Sequence, residues 1–135
     1  MMLLILSFLI GSRPGDLPAD TTLTHPFSPC PDSPNCIIYS TRFNIAPEVL
    51  FQISIDALNY YSPYSVEADS QSLQIKAVFR IALFGFKDDV SIVINPANNG
   101  DSEFHIKSAS RVGNSDLGVN RRRVQRIIKQ INKNL

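Results

Sequence analysis

From Pro47 to Tyr61, apolar residues recur at helical spacing. Leu50, Ile53, Ala57 and Tyr61 fall on one face, and Phe51, Ile55 and Leu58 widen it. Pro47 suits a first helical position, Glu48 suits the positive end of the helix dipole, and Pro63 stops the helix. So broad an apolar stripe needs a sheet to lie on. Beyond Pro63 the period changes to two. Tyr64 to Asp69 reads as a short strand with a turn at Ser70-Gln71. Leu73, Ile75, Ala77, Phe79, Ile81 and Leu83 then alternate with Gln74, Lys76, Val78 and Arg80, the pattern of a long strand with one buried face. Phe84-Gly85-Phe86 bends the chain, Val90, Ile92 and Ile94 mark a third strand, and Asn99-Gly100 signals a turn. In a fourth strand Phe104, Ile106, Ser108 and Ser110 alternate with Glu103, His105, Lys107 and Arg111. His105, on the outer side beside charges, reads as a surface residue.

The helical period returns near Leu117 and runs almost to the end. Val124, Ile127, Ile128, Ile131 and Leu135 share one arc, with Asn120 on the same side. Arg122, Arg126, Lys129 and Lys133 lie opposite. Strands joined by short turns pair antiparallel. The predicted fold is therefore α+β: a four-stranded antiparallel sheet with one helix before it and one long helix after it, the helices covering its apolar face.

The remaining sequence divides the chain into three parts. Residues 1–12 form a signal-like segment whose apolar run, Met1 to Ile10, is too short to cross a bilayer but long enough for a secretory signal. Residues 13–40 show no period, are punctuated by six prolines, and read as an extended linker lying over the domain surface. Residues 41–135 form a single α+β domain. The linker holds both cysteines, Cys30 and Cys36. They form a small disulfide loop or stay as two free thiols, and an exported chain would favour the disulfide. Two cysteines cannot make a zinc site alone, and His25 and His105 lack finger spacing, so no metal is expected.

At 135 residues with 44% hydrophobic and 19% charged residues, the chain can bury a core unaided, which excludes disordered and collagen-like classes. Charge is uneven within a net +1. Six basic and eleven acidic residues precede Arg111, whereas seven basic residues and one acidic residue follow from there. A duplex reader is basic overall, so nucleic acid is not the expected partner.

The densest polar stretch runs from Ser108 to Arg123, as a strand end, a tight turn and a helix start. Gly113 and Gly118 free the backbone, and Ser115 and Asp116 suit helix caps. With Ser110, Arg111, Asn120, Arg121 and Arg122, the junction is suited to an anionic group. It is equally suited to a folding staple in which Asp116 itself caps the helix. Asp88 and Asp89, adjacent on a strand, point to opposite faces and so form no carboxylate dyad. Asp89 is expected to pair with Arg111, while Asp88 faces the core and needs partners. No Ser–His–Asp or phosphate-loop signature is present.

Three segments, Ser33-Pro34-Asn35-Cys36, Leu83 to Val90, and Ser108 to Arg123, resemble those of the DUF1499 family, over roughly Pro29 to Ile131. The likeness departs after Cys36, where Ile37-Ile38-Tyr39 replaces small polar residues. The family brings no established reaction, and no cofactor is expected for this chain. By motif match it implies Cys36, Asp88, Asp89, Ser110, Arg111, Gly113, Ser115, Asp116, Asn120, Arg121 and Arg122 as candidate positions. Bacterial relatives often carry signal or lipid-attachment sequences, and plant relatives look plastid-targeted, which accords with an exported or membrane-associated protein, a cytoplasmic one being the alternative. The expected function is a non-catalytic envelope domain. It would bind an anionic small molecule, a lipid headgroup or a partner protein at the 108–123 junction. The alternatives are a hydrolase-like enzyme using Asp88 or Asp116 with Arg111, and a scaffold.

Overall fold

The computed structural model describes residues 20–31, 35–81, 85–112 and 118–135. The signal-like segment 1–12 and the candidates Gly113, Ser115 and Asp116 lie outside them.

Five strands and two helices follow in the order β1 (Cys36–Phe43), α1 (Pro47–Tyr60), β2 (Ser65–Asp69), β3 (Gln74–Arg80), β4 (Lys87–Pro96), β5 (Ser102–Ser110) and α2 (Val119–Lys133). β2 to β5 form the expected antiparallel meander. The sheet order is β1-β5-β4-β3-β2. The α+β class holds, with one correction: the sheet has five strands rather than four. The additional strand, β1, lies largely in the stretch read as linker and pairs antiparallel with β5, from Cys36 opposite Ala109 to Phe43 opposite Ser102. Its partner lies far along the chain, beyond β4, so no local turn announces it.

One sheet face carries the core. Tyr39, Ile106, Ile92 and Ile75 are cross-strand neighbours in one row and all are buried. α1 packs on β2, β3, β4 and β5, and α2 on β5 and β1. In α1 the buried stripe is Leu50, Phe51, Ser54, Ala57 and Leu58, whereas Ile53 and Ile55 are only partly covered. Asn120, Val124, Ile127 and Ile131 form the buried stripe of α2, as their spacing requires. Leu135 falls beyond the helix end and is exposed. Burial of each large aliphatic side chain contributes about 1.5–3 kcal/mol. These two stripes therefore hold both helices to the sheet. α2 starts after Gly118, whose φ of 80° is the left-handed conformation open to glycine.

The outer face is covered only in part. Residues 20–31 lie over it beside β1 and β5. Asp20 N donates to Ser40 O, the Asp20 carboxylate meets Arg42 at 3.3 Å, and Lys107 Nζ donates to Ser28 O at 2.8 Å. Cys30 and Cys36 are joined as a disulfide that closes this segment onto the start of β1. His105 is consequently not a surface residue. It is fully buried, with Nδ1 2.7 Å from Ser40 Oγ and Nε2 3.3 Å from Glu103 Oε1. The sequence pattern put it in water because it revealed neither β1 nor the cover above it.

Burial lowers the His105 pKa from the ordinary 6.5, with Glu103 opposing and the charge of His25 adding to the fall. The unfolded chain therefore takes up a proton at a higher pH than the folded one. The contribution of neutral His105 is fully present above its unfolded pKa of 6.5 and is lost as pH falls below that value toward the lowered folded one. The urea midpoint is expected to decline through this window, and His105→Gln to flatten the decline. An equal decline in both proteins would assign it to other groups.

Candidate functional site

Three strand ends and a helix start meet at one end of the sheet. Antiparallel registry brings the start of β4 beside the end of β5, with Asp88 opposite Ser110 and Phe79 opposite Asp88. The start of β1 arrives on the other side of β5. Ser110 N donates to Asn35 O, so Asn35 is fixed at the same point. Above them stands the first turn of α2.

The helix side of this end holds a buried polar cluster centred on Asn120, which is 1% exposed. Asn120 Nδ2 donates to Ser110 Oγ at 2.8 Å and to Asn35 O at 3.1 Å. Asn120 Oδ1 accepts from Ser108 Oγ at 2.5 Å and from Arg123 Nη1 at 2.9 Å. One side-chain amide thus links β5, the β1 start and α2 while using both its donor and its acceptor. Arg123 Nη1 also reaches Asp88 Oδ2 at 2.8 Å, and its guanidinium carbon lies 5.0 Å from the Phe79 ring centre. Asp88 is completely buried, and among the described residues no well-aligned donor reaches either of its oxygens. Its contact with Arg123 is therefore an ion pair rather than an aligned hydrogen bond, and that ion pair compensates the buried charge.

The opposite face of the same strands is solvated. Arg111 Nε and Nη2 each lie 2.9 Å from the Asp89 carboxylate, a two-pronged pair between half-exposed side chains. The carboxylate raises the Arg111 pKa above its ordinary value, chiefly through this hydrogen bonding. Ser65, Glu67, Lys76, Asp89, Ser91 and Arg111 border a groove of about 380 Å³ along this face. Next to it, Arg111 N donates to Lys87 O, and Lys87 stands opposite Arg80 in the β3–β4 register. The Lys87 ammonium and the Arg80 guanidinium lie 4.3 and 4.4 Å from the Tyr64 ring centre.

The candidates therefore divide between two faces. Ser110, Asn120 and Asp88 join the buried cluster, while Asp89 and Arg111 form the exposed pair. Arg121 and Arg122 are half-buried on the first turn of α2. Asp88 and Arg111 do not share a cleft, which removes the geometry a hydrolase using both would need. Among the described residues no group of three or more His, Cys, Asp or Glu is placed to hold a metal.

Sequence reasoning overlooked Arg123 and Asn35. Arg123 carried a usable signal: it lies three residues after Asn120 and four before Ile127, on the border of the apolar arc. Of the three consecutive arginines it is the one that pairs with Asp88. Asn35 acts through its backbone carbonyl, which residue type does not reveal.

The model of the family described as "Protein of unknown function (DUF1499)" matches residues 26–131. The chain belongs to the DUF1499 family. None of the curated proteins matches it. Among solved structures, protein CV1439 from Chromobacterium violaceum is similar at 16% identity with a TM-score of 0.44, covering 73% of this chain and 95% of that one. TTHA0849 from Thermus thermophilus is similar at 12% identity with a TM-score of 0.45, covering 73% of this chain and 92% of that one. In this DUF1499 chain the three segments that carry the family resemblance are remote in sequence, yet their described residues Asn35, Cys36, Asp88, Ser108, Ser110, Asn120 and Arg123 gather at one end of the sheet.

Proposed function

We propose that this chain is a non-catalytic domain of the cell envelope that binds an anionic group on the outer face of the sheet end, around Arg111. The observation that carries this reading is the adjacency of Arg80, Lys87 and Arg111 at one strand end beside a polar groove. The buried Asp88–Arg123–Asn120 cluster serves as the rigid platform beneath. The Arg111–Asp89 pair does not close the site. An ion pair between half-exposed side chains contributes little to stability, so an incoming phosphate or carboxylate competes for the guanidinium at small cost.

Placement in the envelope rests on the apolar run at Met1 to Ile10 and on the Cys30–Cys36 disulfide, which suits an oxidising compartment. No helix among the described residues is long and apolar enough to cross a membrane. The test is titration of the full chain with glycerol phosphate, followed by calorimetry. Arg111→Ala is expected to weaken binding about tenfold or more through loss of charge-assisted hydrogen bonds. Undiminished affinity in Arg111→Ala would overturn the site.

A further inference from the structure

The large apolar side chains left exposed are not scattered. Among the described residues they are Val49, Tyr60, Tyr64, Phe86, Val112 and Leu135. Chain order and strand register place four of these at the end of the sheet that carries Arg111. Tyr60 ends α1, and Tyr64 follows it, with its N–H bonded to Val78 O just before β2. Phe86 precedes β4, with its carbonyl accepting from Ile81 N, and Val112 follows Arg111. Val49 lies at the opposite end, at the start of α1, and Leu135 is also there, at the end of α2. Each of the four is about half exposed or more, from 49% at Phe86 to 65% at Tyr60.

Cations are interleaved with them. Arg80 and Lys87 both approach the Tyr64 ring, and Arg111 adjoins Lys87 through the backbone. Of the nearby acidic groups, Asp88 is buried against Arg123, Asp89 offsets the charge of Arg111, and Glu67 lies further along the groove opposite Lys76, so Arg80 and Lys87 supply the net positive charge of this end. Aromatic rings with cations at the same level fit the water–lipid boundary. There the rings sit among headgroups while the cations meet lipid phosphates. A soluble phosphate would use the cations alone and would not account for the exposure of four large apolar side chains around them.

We infer that this end of the sheet is a docking surface for an anionic lipid bilayer. The domain meets it end-on, with Phe86, Val112 and Tyr64 entering the headgroup layer and Arg80, Lys87 and Arg111 on its phosphates. This inference rests on the anion-binding reading above and names the source of the anion. It also gives the sheet a direction, because the pole bearing Val49 and Leu135 points away from the membrane.

The sequence contains no tryptophan, so Phe86→Trp in the full chain introduces a single local emitter. With mixed phosphatidylcholine–phosphatidylglycerol vesicles its emission is expected to shift to the blue and to be quenched by brominated lipid. With pure phosphatidylcholine it should do neither. Adding Arg80→Gln and Lys87→Gln is expected to weaken partitioning roughly 20- to 30-fold, as loss of two interfacial cations implies. Val49→Trp, at the far pole, should keep its aqueous emission. Three results would overturn the docking surface: unshifted emission from Phe86→Trp, an equal shift on neutral vesicles, or an equal shift from Val49→Trp. If the Phe86→Trp emission stays aqueous while glycerol phosphate still binds through Arg111, the bilayer inference fails and the anion site stands. If glycerol phosphate does not bind the full chain either, the reading beneath both fails.

Discussion

Arg123→Met is expected to destabilise the protein by about 3–5 kcal/mol, measured by urea unfolding. The substitution keeps much of the side-chain volume over Phe79 and removes only the charge and its donors. It leaves Asp88, completely buried, without a counter-ion. A charge so placed must recruit water or unfold its surroundings. Asn120 Oδ1 loses one donor as well. The matched experiment adds Asp88→Asn. Neutralising the carboxylate removes the uncompensated charge, so the double variant should recover much of what Arg123→Met loses, and the two changes should be strongly non-additive. A cost for Arg123→Met below about 1 kcal/mol, or simple additivity in the cycle, would mean that the pair is a bystander.

The second large effect is expected at Asn120. Asn120→Leu fits the apolar arc of α2 and would improve it if burial alone mattered. It should instead cost about 2–4 kcal/mol, because it removes partners from Ser108 Oγ, Ser110 Oγ, Asn35 O and Arg123 at once. The damage should also be local. Ser110 N–H, bonded to Asn35 O, should exchange faster with solvent, while the centre of β3, held by Ile75 and Ala77, should stay protected. A neutral Asn120→Leu would show that the cluster is no staple. The result also bears on function, since Arg111 directly follows the end of β5 that Asn120 ties to α2.

Much of the fold was legible because period and position agree. Ile75, Ala77 and Phe79 alternate with Gln74, Lys76, Val78 and Arg80, and each of the three is buried as alternation requires. The opposite faces of Asp88 and Asp89, and the pairing of Asp89 with Arg111, followed from strand parity and an antiparallel hairpin. β1 was not legible. Ile37, Ile38 and Tyr39 favour a strand, but they follow a proline-rich stretch and have no local partner. Their status depends on β5. His105 was misplaced for the same reason. Its outer-face parity was correct, but parity does not reveal that residues 20–31 lie over that face. The site was half legible. Ser108, Asn120 and Asp88 were recognised as polar residues on the buried side, but their mutual contacts require a sheet end at which three remote segments coincide.

The amino-acid sequence by itself determined α1, α2 and β2 to β5, their faces and the helix–sheet class, because backbone period and side-chain hydrophobicity act within a few residues. It also located the stretches dense in candidate chemistry. Only the tertiary structure decided that β1 joins the sheet edge, that Arg123 rather than Arg121 or Arg122 neutralises Asp88, and that His105 is buried. The same is true of the gathering of Tyr64, Arg80, Phe86, Lys87 and Arg111 at one pole. Each of these depends on strand register and helix placement, which set distances between residues far apart in the chain.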